Sequence, residues 1–201
     1  MFRVMDRTLA SRYRNGMKLG RTVALVGMMG AGKTSIGKRL AARLEVPFKD
    51  ADHEIEAAAS RSVAEIFADY GEPEFRRMER SVIARLLHEP PLVLATGGGA
   101  YMDGQTRAAL RQSAFTIWLK APVDILLGRV RKRQGAEGAP AQPRPLLANG
   151  DMRGTLERLL AAREPVYATA EMVLESGDEP HAVLLDKIVA ALAAHGICET
   201  P

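Results

Sequence analysis

Cysteine is almost missing from this chain: of 201 residues only Cys198 carries a thiol, near the C-terminal end. An intrachain disulfide is therefore impossible, a cysteine-built metal site is excluded, and a reducing compartment, the cytoplasm, is the expected location. Aromatic residues make up only 5%, too few to build a platform on which nucleic-acid bases would stack. No apolar run approaches the roughly 20 residues needed to cross a bilayer, so no membrane partner is expected. A dominant charge of one sign is lacking too. The net charge is +4 and the pI near 9.4, but the basic residues, mostly arginine, are scattered among acids rather than gathered in a stripe. Nucleic acid is not an expected partner; a small, highly phosphorylated substrate would use the same arginines.

What is present is a balanced globular composition, 47% hydrophobic and 26% charged, enough for one compact domain. Residues 1–21 are basic, with Asp6 as their one acid, and show no sustained period. They read as a flexible N-terminal extension before a single domain over 22–196. From Thr22 onward, short β-branched runs alternate with helical stretches. Runs at 22–27, 47–52, 91–96, 115–120 and 171–175 predict five strands, and strands separated by helices imply an α/β fold with a parallel sheet covered on both faces. Leu184, Leu185, Ile188, Val189 and Leu192 mark the apolar face of a closing helix.

The stretch VALVGMMGAGKTSIGKRL carries the strongest motif. Gly27, four residues, then Gly32, Lys33 and Thr34 satisfy GxxxxGK[ST] between a predicted strand and a predicted helix. Such a loop turns backbone N–H groups toward phosphate oxygens, and the helix adds its positive end. Lys33 is placed to neutralise the β and γ phosphates, and the Thr34 hydroxyl to ligate Mg2+. The loop holds a nucleoside triphosphate.

Whether that nucleotide is hydrolysed, sensed or used as a donor depends on the remaining polar residues. The third predicted strand ends in Gly97, Gly98 and Gly99, not in an acid. Acids follow the second strand instead. On an extended chain Asp50 and Asp52 point the same way, at the edge where open α/β sheets collect ligands; the plainer alternative is that Asp52 caps the next helix. Three consecutive glycines suggest close approach of backbone to a ligand, although a flexible turn reads the same. Residues 72–87 predict a helix with Phe75, Met78, Val82 and Leu86 inward and with Arg76, Glu79 and Arg80 on another face. Glu79 there either forms a solvated pair or orients Arg76 toward a substrate carboxylate. Between Gly128 and Leu147 a basic helix end passes into glycine, alanine and proline before Arg144. That composition suits either a flap over the phosphates or a plain surface loop.

Together GMMGAGKT, DAD, EFRRME, TGGGA, RPLL and AREPVY, in this order and spacing, closely resemble the shikimate kinase family from about Thr22 to His195. The resemblance implies a P-loop fold and a monomer that transfers the ATP γ-phosphate to the 3-hydroxyl of shikimate, within aromatic amino-acid synthesis. It implies nucleotide binding by Gly27, Gly30, Ala31, Gly32, Lys33, Thr34 and Ser35, with Arg129 against adenine and Mg2+ served by Thr34 and Asp50. Asp52 would bind the ring hydroxyls and assist the attacking oxygen, and Arg76 and Arg163 would grip the carboxylate. Glu79 would support Arg76, Gly97 to Gly99 would line the ring site, and Arg144 would reach the transferred phosphate from a lid. The substrate-binding segment is expected near 52–82 and the lid near 130–150. Two features depart from the family pattern: Thr34 precedes Ser35 where serine then threonine is frequent, and the flap from Gln134 to Gln142 is long. Gluconate kinase or another small-metabolite P-loop kinase is the alternative reading.

Overall fold

The computed structural model describes residues 18–134, 151–177 and 179–199. The central sheet contains β2 (Thr22–Val26), β3 (Phe48–Asp50), β4 (Val93–Ala95), β5 (Ala114–Lys120) and β6 (Met172–Glu175), all parallel, in the spatial order β3-β4-β2-β5-β6. Every residue of β2 and all of β5 except Lys120 are buried. Successive strand residues point to opposite faces, so this burial requires cover on both sides of the sheet. The five strands fall at the five predicted runs, each shorter than or equal to its run except β5, which begins one residue earlier.

The helices between them are α1 (Lys33–Leu44), α2 (Ala51–Ala59), α3 (Val63–Leu87), α4 (Gly104–Ser113), α5 (Val123–Gln134), α6 (Met152–Tyr167) and α7 (His181–Ala194). A single 3₁₀ turn covers Ala100–Met102. α1 buries Ile36, Leu40 and Leu44 against the sheet, and its Gly37 lets it lie close: a Cβ there would sit 2.5 Å from Phe48 Cε2 and 3.3 Å from Leu25 Cδ1. α3 extends the helix read at 72–87 back to Val63, across Gly71 at φ 77 and ψ 173, which breaks it into two pieces. Its start is fixed by a capping box in which Ser62 and Glu65 satisfy each other's backbone N–H groups. Among the described residues no helix is long and apolar enough to cross a membrane.

Parallel register aligns the upper ends of three strands. Asp50 of β3 and Leu25 of β2 both lie opposite Ala95 of β4. The loop after β2, the chain after β3 and the glycines after β4 therefore leave the sheet at one level.

Residues 18–21, read from the sequence as the end of a flexible extension, are ordered against the domain. Lys18–Leu19 form β1, paired antiparallel with β7 (Cys198–Glu199), and Gly20 N–H donates to the Ile197 carbonyl at 2.9 Å. Leu19 and Cys198 are buried in this pair. Arg21 donates to Glu171 at 3.0 Å and to the Arg111 carbonyl at 2.7 Å. Residues 1–17 lie outside the described residues.

Gly37→Val should lower unfolding free energy by about 1–3 kcal/mol through overpacking, measured as a reduced urea midpoint with an unchanged m-value.

Candidate active site

The loop between β2 and α1 is bent by three glycines with positive φ: Gly27 at 133, Gly30 at 81 and Gly32 at 96. Side chains are excluded there sterically as well, since a Cβ on Gly30 would lie 2.9 Å from the Leu126 carbonyl oxygen. Gly32 is the N-cap of α1 and brings no side chain to its first amides. Those N–H groups and the positive end of the helix remain for an anion. Lys33 is buried, with Nζ donating to the carbonyls of Gly27 at 2.7 Å and Met28 at 2.9 Å. Arg129 and Ser176 tie the loop to the far end of β6. Ser176 Oγ donates to the Ala31 carbonyl at 3.0 Å, and Arg129 Nη2 donates to the Gly177 carbonyl at 2.6 Å.

Asp50 and Asp52 do not share a strand, which corrects the extended-chain expectation. β3 stops at Asp50 because its Oδ1 accepts from Asp52 N–H at 3.2 Å and caps α2. Capping thus falls to Asp50, and Asp52 sits in the first helical turn. The two carboxylates consequently diverge. Asp50 Oδ2 accepts from Thr34 Oγ1 at 2.7 Å, beside the loop, whereas Asp52 Oδ1 approaches Gly97 on the other side of the cleft. Ser35, expected at the nucleotide, has its hydroxyl accepting from Arg39 Nη1 at 2.6 Å.

The glycine run after β4 makes room for side chains of the protein itself. A Cβ on Gly97 would collide with Glu79 Oε1 and stand 2.9 Å from Asp52 Oδ1; one on Gly99 would stand 2.8 Å from Arg76 Cζ; one on Gly98 would press on Met29 N at 3.3 Å. Glu79 is 1% exposed and accepts from Arg76 Nη1 through Oε2 at 2.7 Å. Its Oε1 has no hydrogen-bond partner among the described residues. Of the two readings of this pair, the buried, orienting one fits. Arg163 Nη1 donates to the Gly98 carbonyl at 3.1 Å. The hydroxyl of Tyr167, one helical turn on, donates to the same carbonyl. Tyr167 stacks on Trp118 at 5.7 Å. Sequence reasoning gave Tyr167 no role, although it closes the AREPVY stretch that carries Arg163.

These groups line one open cleft of about 1000 Å³, which brings together Gly30, Gly32, Lys33, Thr34, Ser35, Asp50, Asp52, Arg76, Glu79, Gly97, Gly98, Gly99, Arg129 and Arg163. Gly27 and Ala31 lie in the loop beneath, with Ala31 buried. Arg144 and most of the expected lid, residues 135–150, lie outside the described residues.

Burial dominates the electrostatics. It pushes the Asp52 carboxyl up to about 6, reinforced by the charge of Asp50 and opposed by Lys33. Burial likewise pushes Glu79 up to about 7 although Arg76 opposes it, and Tyr167 up to about 12. A carboxylate poised near 6 is ionised at neutral pH yet basic enough to take a proton from an alcohol as it attacks. Thr34 and Asp50 offer one hydroxyl and one carboxylate, hard oxygen donors suited to Mg2+. Among the described residues no group of three or more His, Cys, Asp or Glu could hold a metal by itself, so phosphate oxygens and water would complete the shell.

A family model described as shikimate kinase matches residues 29–193. A shikimate kinase of Brucella canis is 50% identical over 175 residues, 87% of this chain and 84% of that protein. The solved structure of shikimate kinase from Acinetobacter baumannii in complex with shikimate superposes with a TM-score of 0.80 at 35% identity, covering 87% of this chain and 94% of that one. A gluconokinase from Sinorhizobium meliloti superposes with a TM-score of 0.60 at 16% identity, over 88% and 94% of the two chains; that likeness extends to the fold alone.

Because its carboxyl rises from 3.8 to about 6 on folding, Asp52 binds its proton more tightly in the folded chain. Stability is therefore lost as pH rises through that window. Asp52→Asn should melt a few degrees higher than the parent at pH 8, with the difference shrinking toward zero near pH 4 in thermal denaturation.

Proposed function

The chain belongs to the shikimate kinase family, and from that premise we propose how its cleft moves the γ-phosphate of ATP onto the 3-hydroxyl of shikimate, a step of aromatic amino-acid synthesis. The observation that carries this reading is the meeting of Asp52, Arg76 and Gly97 to Gly99 on the side of the cleft facing the phosphate loop.

The loop amides and the α1 N-terminus cradle the triphosphate, and Lys33 exchanges its contacts with the Gly27 and Met28 carbonyls for phosphate oxygens. Thr34 and Asp50 hold Mg2+, which when bound neutralises charge on the β and γ phosphates. Arg129, which donates to the carbonyls of Ala31 and Gly177, is the arginine this reading sets against adenine. On the opposite side Arg76 and Arg163 take the shikimate carboxylate, the first with its planar fork held by Glu79. Asp52 accepts a hydrogen bond from the 3-hydroxyl, fixes it in line with the γ-phosphorus and receives its proton as the new O–P bond forms and the bond from the γ-phosphorus to the β,γ-bridging oxygen breaks, releasing ADP. Positioning and charge balance supply most of the rate in such a transfer, and a modest base is sufficient. Residues 52–82 act as the substrate-binding segment of a single domain. In this reading the chain works as a monomer.

The deciding experiment is an ADP-coupled assay with Mg2+ and ATP, run with shikimate and with gluconate. Turnover with shikimate and none with gluconate is expected; turnover with gluconate alone refutes the assignment. In the same assay kcat/KM for shikimate should rise with pH through an apparent pKa near 6, following ionisation of Asp52. Asp52→Asn should lower kcat by about 10²–10⁴ while calorimetric ATP affinity stays within about twofold of the parent.

A further inference from the structure

Arg76 is bonded by two carboxylates of its own helix. Glu79 Oε2 accepts from Nη1 at 2.7 Å, and Glu72 Oε1 accepts from both Nε at 3.2 Å and Nη2 at 2.9 Å. These two acids differ in every respect that decides whether they can leave. Glu79 is 1% exposed and packed under Gly97, with no solvent beside it to take up its charge. Glu72 is 51% exposed and sits directly after the break at Gly71, in the first turn of the second helical piece. Among the described residues it makes no other hydrogen bond that would be lost on release, and water would solvate it at once.

A substrate carboxylate must use the same guanidinium. If it approaches side-on, along Nε and Nη2, it needs the donors that Glu72 occupies; if it approaches end-on, it meets the charge of Glu72 a few ångströms away. Either way Glu72 opposes it, by competition or by like-charge repulsion. We propose that Glu72 is a displaceable internal carboxylate that competes with the substrate's carboxylate for Arg76 and thereby sets the KM for the acidic substrate. This rests on the assignment of Arg76 to substrate binding made above. Glu72 does not touch the reacting atoms. Its chemical consequence is selectivity: a small anion that cannot supply a second contact, as shikimate does through Arg163 and Asp52, fails to displace it.

The test uses the full chain with Glu72→Gln and Glu72→Ala, assayed with shikimate at saturating MgATP and challenged with benzoate, a planar carboxylate that has no ring hydroxyls. Expected are a KM for shikimate lowered about three- to fivefold, in the range of a partly exposed ion pair, the larger drop in the alanine variant, a kcat within about twofold of the parent, and tighter inhibition by benzoate. The KM for ATP should not move. If Glu72 instead holds Arg76 in place for the substrate, KM for shikimate rises, and that result, like an unchanged KM, overturns the proposal while leaving the kinase assignment intact. A parent chain that fails to turn over shikimate at all overturns both.

Discussion

Three parallel strands ending in one row govern everything above them. Because Asp50 and Leu25 both face Ala95, the phosphate loop, the first turn of α2 and the glycine run begin at the same height. Groups remote in sequence then share one rim without any long side chain having to reach for it. The row itself is held by the backbone ladder and by β2 and β4, buried on both faces, the most rigid part of an α/β domain. Chemistry is placed on elements leaving that rigid edge, as open parallel sheets favour.

The cost of this arrangement is a pair of carboxylates in a poorly solvated place. Glu79 is held there by Arg76, and Asp52 stands near enough to Lys33 to be partly balanced. Neither balance is complete, since burial still raises both groups above the ordinary carboxylate range. The same imperfection is useful. It makes Asp52 a stronger base than an exposed aspartate.

The sheet and the loop after β2 are legible in the sequence because each depends on local pattern: β-branched runs, a glycine signature, apolar residues at helical spacing. The pairing of Arg76 with Glu79 is legible too, from their separation along a helix. What sequence could not give is the depth at which Glu79 lies, for that depends on Gly97 lacking a side chain far along the chain. The divergence of Asp50 and Asp52 was hidden by a boundary. A strand two residues longer would aim both the same way, and only the capping of Asp52 N–H by Asp50 turns them to separate tasks. β1 and β7 are two residues each, below the length at which alternation can be recognised.

That small pair has a mechanical meaning. Lys18 lies opposite Glu199 and Leu19 opposite Cys198, so both strands offer the same end to an outward pull. A load applied at these two points falls on one rung at a time and peels the pair like a zipper, rather than shearing several hydrogen bonds at once. The seam would part at low force, while the parallel ladder beneath the cleft remains shielded until α7 and β2 themselves come under tension.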